Sequence, residues 1–210
     1  MIKKQLLQSN EKVSLGRPTL ANSKDIKTEL TKIAMELVQT RGYNGFSYQD
    51  LAERLNIRKA SIHYYFPAKE DLGAGLMEVG LDRVHDWHEK LRSQKLTPTE
   101  MMEAYFDYYS ELSEDATKIC PCGALASEWQ NLPQKVQEAY TNMLNCHSEF
   151  MESVIEAGRQ SGEFSSKGTA QEQAQFVLAA IMGGLQTSRA QGNPALFGLL
   201  IHQLWTMLKK

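Results

Sequence analysis

Residues 48–66 read YQDLAERLNIRKASIHYYF, and their pattern decides the fold. Leu51, Ala52 and Leu55 fall on one face of a two-turn helix. Ala52 is small, so a second helix can cross close to it. Asn56 follows, a residue that tolerates the left-handed backbone of a tight turn. Ile57 plugs the turn into a core, and residues 59–65 make a short second helix with Ile62 facing inward. The other faces of that helix carry Lys59, Ser61, His63, Tyr64 and Tyr65. The pattern predicts a helix-turn-helix whose second helix fits the major groove, where every base-pair edge is distinguishable. Packing alone is the competing reading, and the charge distribution argues against it. Residues 1–69 hold twelve basic and six acidic residues, +6, whereas residues 70–210 hold eleven and nineteen, −8. A basic first third on an acidic remainder suggests a head that faces nucleic acid and a body that does not.

Outward from this stretch the chain is helical almost throughout. Ile26, Leu30, Ile33, Ala34 and Leu37 recur at helical spacing, with Gly42 placed to close that helix. Ser47-x-x-Asp50 is a capping-box variant opening the first helix of the motif. Pro67 precedes a long helix expected over about 68–94. Thr97-Pro98-Thr99-Glu100 supplies an N-cap, a proline at the first helical position and a box partner. Leu132-Pro133 starts another helix, which fades near Gly158 and Gly162. Thr169-x-x-Glu172 and Asn193-Pro194 open two more. No run of two-residue alternation is long enough for a sheet, so the expectation is an all-α fold of about nine helices. Residues 1–22 read as a polar, basic arm. Hydrophobic residues at 42% and charged residues at 23% exclude a largely disordered chain. No apolar run approaches the ~18 residues of a membrane-spanning helix. No apolar run follows Lys3 and Lys4, so no secretory signal is expected. Three cysteines, Cys120, Cys122 and Cys146, are too few for a disulfide framework and fit a reducing cytoplasm.

Arg41-Gly42-Tyr43, the motif from Ser47 through Phe66, and Lys69-Glu70 together resemble the N-terminal signature of the TetR family of bacterial transcriptional regulators. The match covers about residues 26–72. Three features depart from it: Asn56 and Ala60 stand where the family often has glycine, Arg58 stands at a usual serine cap, and His63-Tyr64 inverts the usual order. These departures bear on sequence preference. The resemblance implies a DNA-binding domain over 23–68 and an effector-binding and dimerisation domain over 69–210. It also implies a repressor that binds a palindromic operator as a homodimer and leaves it when a small-molecule effector binds. Candidate DNA contacts are Ser47, Tyr48, Gln49, Arg58, Lys59, Ala60, Ser61, His63, Tyr64, Tyr65 and Lys69, the last reaching a phosphate. Arg17, between Gly16 and Pro18, is either a minor-groove contact or part of a solvated tail.

In the body, Ala179/Gly183 and Ala180/Gly184 are small pairs four apart that admit a close helix, and the last helix carries a broad apolar stripe. Ala180, Gly183, Gly184, Thr187, Leu200, Leu204 and Met207 are the expected dimer interface. Aromatic and methionine side chains suited to an adaptable pocket are dense over 76–150: Trp87, Met101, Tyr105, Tyr108, Tyr109, Trp129 and Met143, with Cys122 beside them. His85 and His88 are read as a solvated or hydrogen-bonded pair. Cys122 is expected at a helix N-terminus, where the dipole and Lys118 would lower its pKa. That makes redox or electrophile sensing through Cys122, with Cys120 or Cys146, the alternative function. A thiol enzyme using Cys122 or Cys146 with His147 lacks a triad spacing, and a metal sensor using Cys120, Cys122, Cys146 and His147 lacks a partner motif. The expectation is a cytoplasmic regulator, with no enzyme activity, cofactor, metal or membrane partner.

Overall fold

Local capping chemistry sets several helix ends in the computed structural model, which describes residues 23–115 and 117–210. Helix α1 spans Ser23–Arg41, and Gly42 ends it at φ +80°. Helix α2, Tyr48–Leu55, opens on a complete capping box between Ser47 and Asp50 and closes on Asn56 at φ 52°. Helix α3, Lys59–Tyr65, starts at Arg58, which offers no side-chain cap. The long α4, Lys69–Ser93, begins two residues after Pro67. Thr97 and Glu100 box the start of α5, Pro98–Glu114. A short α6, Pro121–Ser127, leads through a single 3-10 turn into α7, Gln134–Ser161. Thr169 and Glu172 box α8, Ala170–Ala190, and α9 runs Ala195–Leu208. Among the described residues there is no strand beyond one isolated bridge between Phe164 and Lys209. No helix among them is long and apolar enough to cross a membrane.

Two apolar clusters organise these helices. The first joins the head to the near half of the body: Leu30, Leu37, Leu51 and Ile62 meet Leu72, Leu76 and Val136. The second fills the far half, where Trp87, Tyr105, Phe106, Phe150, Ile181 and Phe197 meet. Helices α4 and α7 pack on each other along their length and contribute to both clusters. They are the struts that connect the head to the body. Helix α6 packs on α1, α7 and α8.

Candidate DNA-binding face and effector site

The core of the head is the buried set predicted from the motif. Ile62 is fully buried, and Leu51, Ala52 and Leu55 face it from α2. What remains outside on α3 is Lys59, Ala60, His63 and Tyr64, all exposed, with Arg58 exposed just before it; Tyr64 is 79% exposed. Tyr65 and Ser61 are half-buried, and the Tyr65 ring meets Tyr64 edge-on at 5.0 Å. The imidazole Nδ1 of His63 lies 3.0 Å from the Pro67 carbonyl, and its ring meets that of Tyr48 edge-on at 4.9 Å. Gln49 is exposed and donates to Glu53 at 2.7 Å. The Ser47 hydroxyl is engaged in capping, accepting from Gln49 N and donating to Asp50.

Two of the expected DNA contacts, Tyr48 and Lys69, have partners within the chain. Tyr48 is buried, and its hydroxyl is committed to the carbonyls of Phe66 and Ala68 at 2.9 and 2.7 Å. It ties the end of α3 to the start of α4, and burial pushes its pKa up. Lys69 does not extend to solvent. Its ammonium donates to the Phe46 carbonyl and lies 4.7 Å and 4.4 Å from the ring centroids of Tyr43 and Phe46. Desolvation lowers its pKa. A cation surrounded by a carbonyl and two ring faces is already satisfied, so it is not poised on a phosphate. Arg17 lies outside the described residues.

In the body, the candidate pocket residues divide between the two clusters. Trp87 stacks on Tyr105 at 5.2 Å and meets Tyr108 at 4.9 Å, and Tyr109 lies 5.2 Å from Tyr105. Met101 packs at the edge of this group. Trp129 and Met143 do not belong to it. Trp129 contacts Tyr140 at 5.5 Å, and Met143 is buried in the head-side cluster, because the α7 turn that carries it faces α6 and the first half of α4.

Two histidines absent from the expected pocket set pack into the same aromatic group. His88 is 2% exposed and stacks on Phe150 at 3.9 Å with the rings 8° apart. His147 is buried, with Nδ1 2.7 Å from the Tyr105 hydroxyl. Tyr109 hydrogen-bonds to Tyr105 in turn. If Tyr109 donates to Tyr105 and Tyr105 to Nδ1, the neutral His147 carries its proton on Nε2. Burial holds both imidazoles neutral, His88 down to about 3 and His147 to about 4. The His88 Nδ1 approaches Cys146 Sγ at 3.8 Å, and its Nε2 is buried with no protein partner. The signal was present in sequence. His88 continues the α4 stripe of Met77, Leu81, Val84 and Leu91, and His147 continues the α7 stripe of Val136, Tyr140, Met143 and Phe150, all at three- and four-residue spacing. His85 is exposed while His88 is buried, so the two do not share a solvated face.

The cysteine expectation reverses between neighbours. Cys120 is the N-cap of α6, and Cys122 is buried two residues on. A hydrogen bond from the Cys122 thiol, then those from the Gly123 and Cys122 N–H groups, hold the Cys120 pKa below the ordinary thiol value. The same thiol–thiol bond, with burial, pushes Cys122 up. Cys120 packs against both apolar clusters. Among the described residues no three His, Cys, Asp or Glu side chains converge as metal ligands.

The dimer expectation divides in the same way. Gly184 faces its own α9, where a Cβ would meet Phe197 and Leu200 at 3.1–3.3 Å, and Leu204 is 3% exposed. Both belong to intrachain packing. Gly183, Thr187 and Met207 are exposed, and Ala180 and Leu200 are half-buried. Phe176, absent from the expected set, and Leu199, part of the apolar stripe of the last helix, are also exposed, at 50% and 67%.

Comparison with known proteins follows these two regions. The family described as bacterial regulatory proteins, tetR family, matches residues 30–74. A tetracyclin repressor-like C-terminal domain matches residues 98–204. A TetR-family transcriptional regulator from Agrobacterium tumefaciens is 30% identical at a TM-score of 0.86, over 90% of this chain and 100% of that one. A TetR regulator from Legionella pneumophila is 27% identical at a TM-score of 0.80, over 91% and 100%. The reduced form of E. coli NemR shares the fold at 18% identity and a TM-score of 0.76, over 88% and 97%. A search of curated proteins by sequence found no match.

Proposed function

Because this chain belongs to the TetR family of bacterial transcriptional regulators, we propose that it is a ligand-responsive repressor. It binds a palindromic operator as a homodimer and releases it when an effector enters the body. The observation that carries this reading is α3. A seven-residue helix is held from below by Ile62, and its outward side presents Lys59, His63 and Tyr64 with Arg58 at its start. Such a helix enters a major groove with hydrogen-bonding and aromatic groups foremost. Two heads read successive grooves when the bodies pair, and the exposed faces of α8 and α9 are the surface for that pairing. The effector site is the aromatic cluster around Trp87, Tyr105 and Tyr109. Its buried imidazoles are neutral, which favours an uncharged ligand able to hydrogen-bond the His88 Nε2.

The test begins with the duplex that wild-type protein selects from a random library. Tyr64→Ala and Lys59→Ala should weaken binding to it, with the thermal unfolding midpoint unchanged. Wild-type affinity in both variants would refute the assignment of α3.

One observation favours a second mode of release, through Cys120 rather than Cys122. Cys120 is the N-cap of α6, where the Cys122 thiol and the Gly123 and Cys122 N–H groups favour its thiolate form. Hydrogen peroxide would be attacked by that thiolate: an S–O bond forms, the O–O bond breaks, hydroxide leaves, and Cys120 becomes a sulfenic acid. Peroxide should then release the DNA from wild type and not from Cys120→Ser. Equal release from both excludes this mode.

A further inference from the structure

The turn between α1 and α2 presents a row of backbone donors, and a side chain from the body fills it. Gly42 closes α1, and its N–H bonds back to the Val38 carbonyl at 3.0 Å. The next two N–H groups converge on one carboxylate, that of Glu128. Tyr43 N donates to Oε1 at 2.7 Å, Asn44 N donates to Oε2 at 2.9 Å, and Asn44 Nδ2 donates to Oε2 at 2.6 Å. Successive N–H groups aimed at one point form an anion-binding concavity, and hydrogen bonds to a charged acceptor are roughly twice as strong as neutral ones. A Cβ built on Gly42 would lie 2.2 Å from Oε1. Glycine at this position therefore meets two demands, the φ of +80° and the space the carboxylate occupies.

Glu128 belongs to the other half of the molecule. It is the C-cap of α6, 85 residues beyond Tyr43. At the opposite end of α6, Ile119 N donates to the Gln39 carbonyl at 3.0 Å, satisfying one of the last carbonyls of α1. A helix of seven residues is thus fastened at both ends to the C-terminal turn of α1 and the loop after it. Lys69, at the start of α4, donates to Phe46 in that same loop and feels the charge of Glu128. The head, α4 and α6 meet at this junction, and α6 also packs on α7 and α8.

We infer that Glu128 is a positioning residue for DNA binding: its carboxylate sets the pose of the α1–α2 turn, and so of the recognition helix, on the body. A rearrangement in the body that displaces α6 breaks three hydrogen bonds to the head at once. The functional half of this inference rests on the proposed role of the head as a DNA reader.

Two measurements test it, one without DNA. In E128A, amide hydrogen exchange at Tyr43 and Asn44 should rise by about tenfold or more while Leu55 and Ile62 keep their protection. Affinity for the selected duplex should fall by about tenfold with an unchanged salt slope, since no phosphate contact is lost. Removing a negative charge would by itself raise affinity for DNA, so a fall cannot come from charge alone. E128Q, which keeps one acceptor oxygen, should lie between wild type and E128A in both measurements. Gly42→Ala should lower the thermal midpoint more in wild type than in the E128A background, where the carboxylate is gone. Unchanged exchange at Tyr43 and Asn44 overturns the inference. Raised exchange with wild-type or tighter DNA binding also overturns it, reducing the contact to a local tie. Wild-type protein that selects no DNA sinks the DNA-binding reading instead, and the exchange data still decide whether Glu128 holds the turn.

Discussion

Tyr48 and Tyr64 are the same side chain put to opposite uses sixteen positions apart. Tyr48 opens α2 on its buried side, and its hydroxyl holds two carbonyls that end one helix and begin the next. Tyr48→Phe removes the single proton that the two carbonyls share and should cost about 1–3 kcal/mol in urea unfolding. Tyr64→Phe removes nothing the fold uses and should stay within about 0.5 kcal/mol. Equal costs would mean that the burial of Tyr48 is not what holds α3 to α4. The two buried imidazoles give a residue-scale prediction in pH. Their folded pKa values, about 3 for His88 and about 4 for His147, lie below the ordinary imidazole value of 6.5. The unfolded chain therefore binds more protons throughout the interval between. Stability is full above pH 6.5 and falls as pH drops from there toward those folded values. His88→Gln should flatten that acid limb of the thermal midpoint by one proton's worth of slope. An unchanged slope would mean that His88 is already charged in the fold.

At the scale of the element, what the sequence shows is where helices begin and end, because caps are local. Ser47 with Asp50, Thr97 with Glu100 and Thr169 with Glu172 all form the boxes their spacing implies. Asn56 takes the left-handed backbone assigned to it. The face of a helix is a different matter when apolar residues surround it. Helix α9 is apolar on nearly every side, so periodicity alone does not say which side meets α8 and which meets solvent. Gly184 and Leu204 turn inward while Leu199 and Met207 turn outward, and that division depends on how α9 leans on α8. The buried histidines are legible by their spacing but not by their residue type. A polar residue on an apolar stripe reads as an exception until the neighbouring helix shows what surrounds it. The division of α9 is testable. Leu199→Glu and Met207→Glu should yield a monomer by light scattering with little loss of unfolding stability. Leu204→Ala should cost about 2–5 kcal/mol as a cavity in the chain's own core. A wild type that scatters as a 23.7 kDa particle at micromolar concentration would remove the interface altogether.

For the molecule as a whole, the charge asymmetry sets how it meets DNA. Residues 1–69, the arm included, sum to +6 and residues 70–210 to −8, so the chain's attraction for a polyanion lies in its first third. Yet the formal count overstates what reaches a phosphate, because cations differ in what already surrounds them. Arg41 pairs with Asp50 at 2.9 Å, Arg54 pairs with Glu36 at 3.0 Å, and Lys69 is folded onto Phe46 and Tyr43. Arg58 and Lys59 stand exposed beside the recognition surface. The log of the binding constant falls with log salt by about 0.9 per phosphate neutralised, and a dimer doubles each contact. Arg58→Ala and Lys59→Ala should therefore each reduce that slope by about two in the dimer. Lys69→Ala should instead lower the thermal midpoint through the loss of its contacts to the α1–α2 loop and leave the slope where it was. A slope that drops in Lys69→Ala as it does in Lys59→Ala would show that this lysine leaves the Phe46 carbonyl and swings out when DNA arrives. Binding would then cost the head one of the ties that hold it to α4.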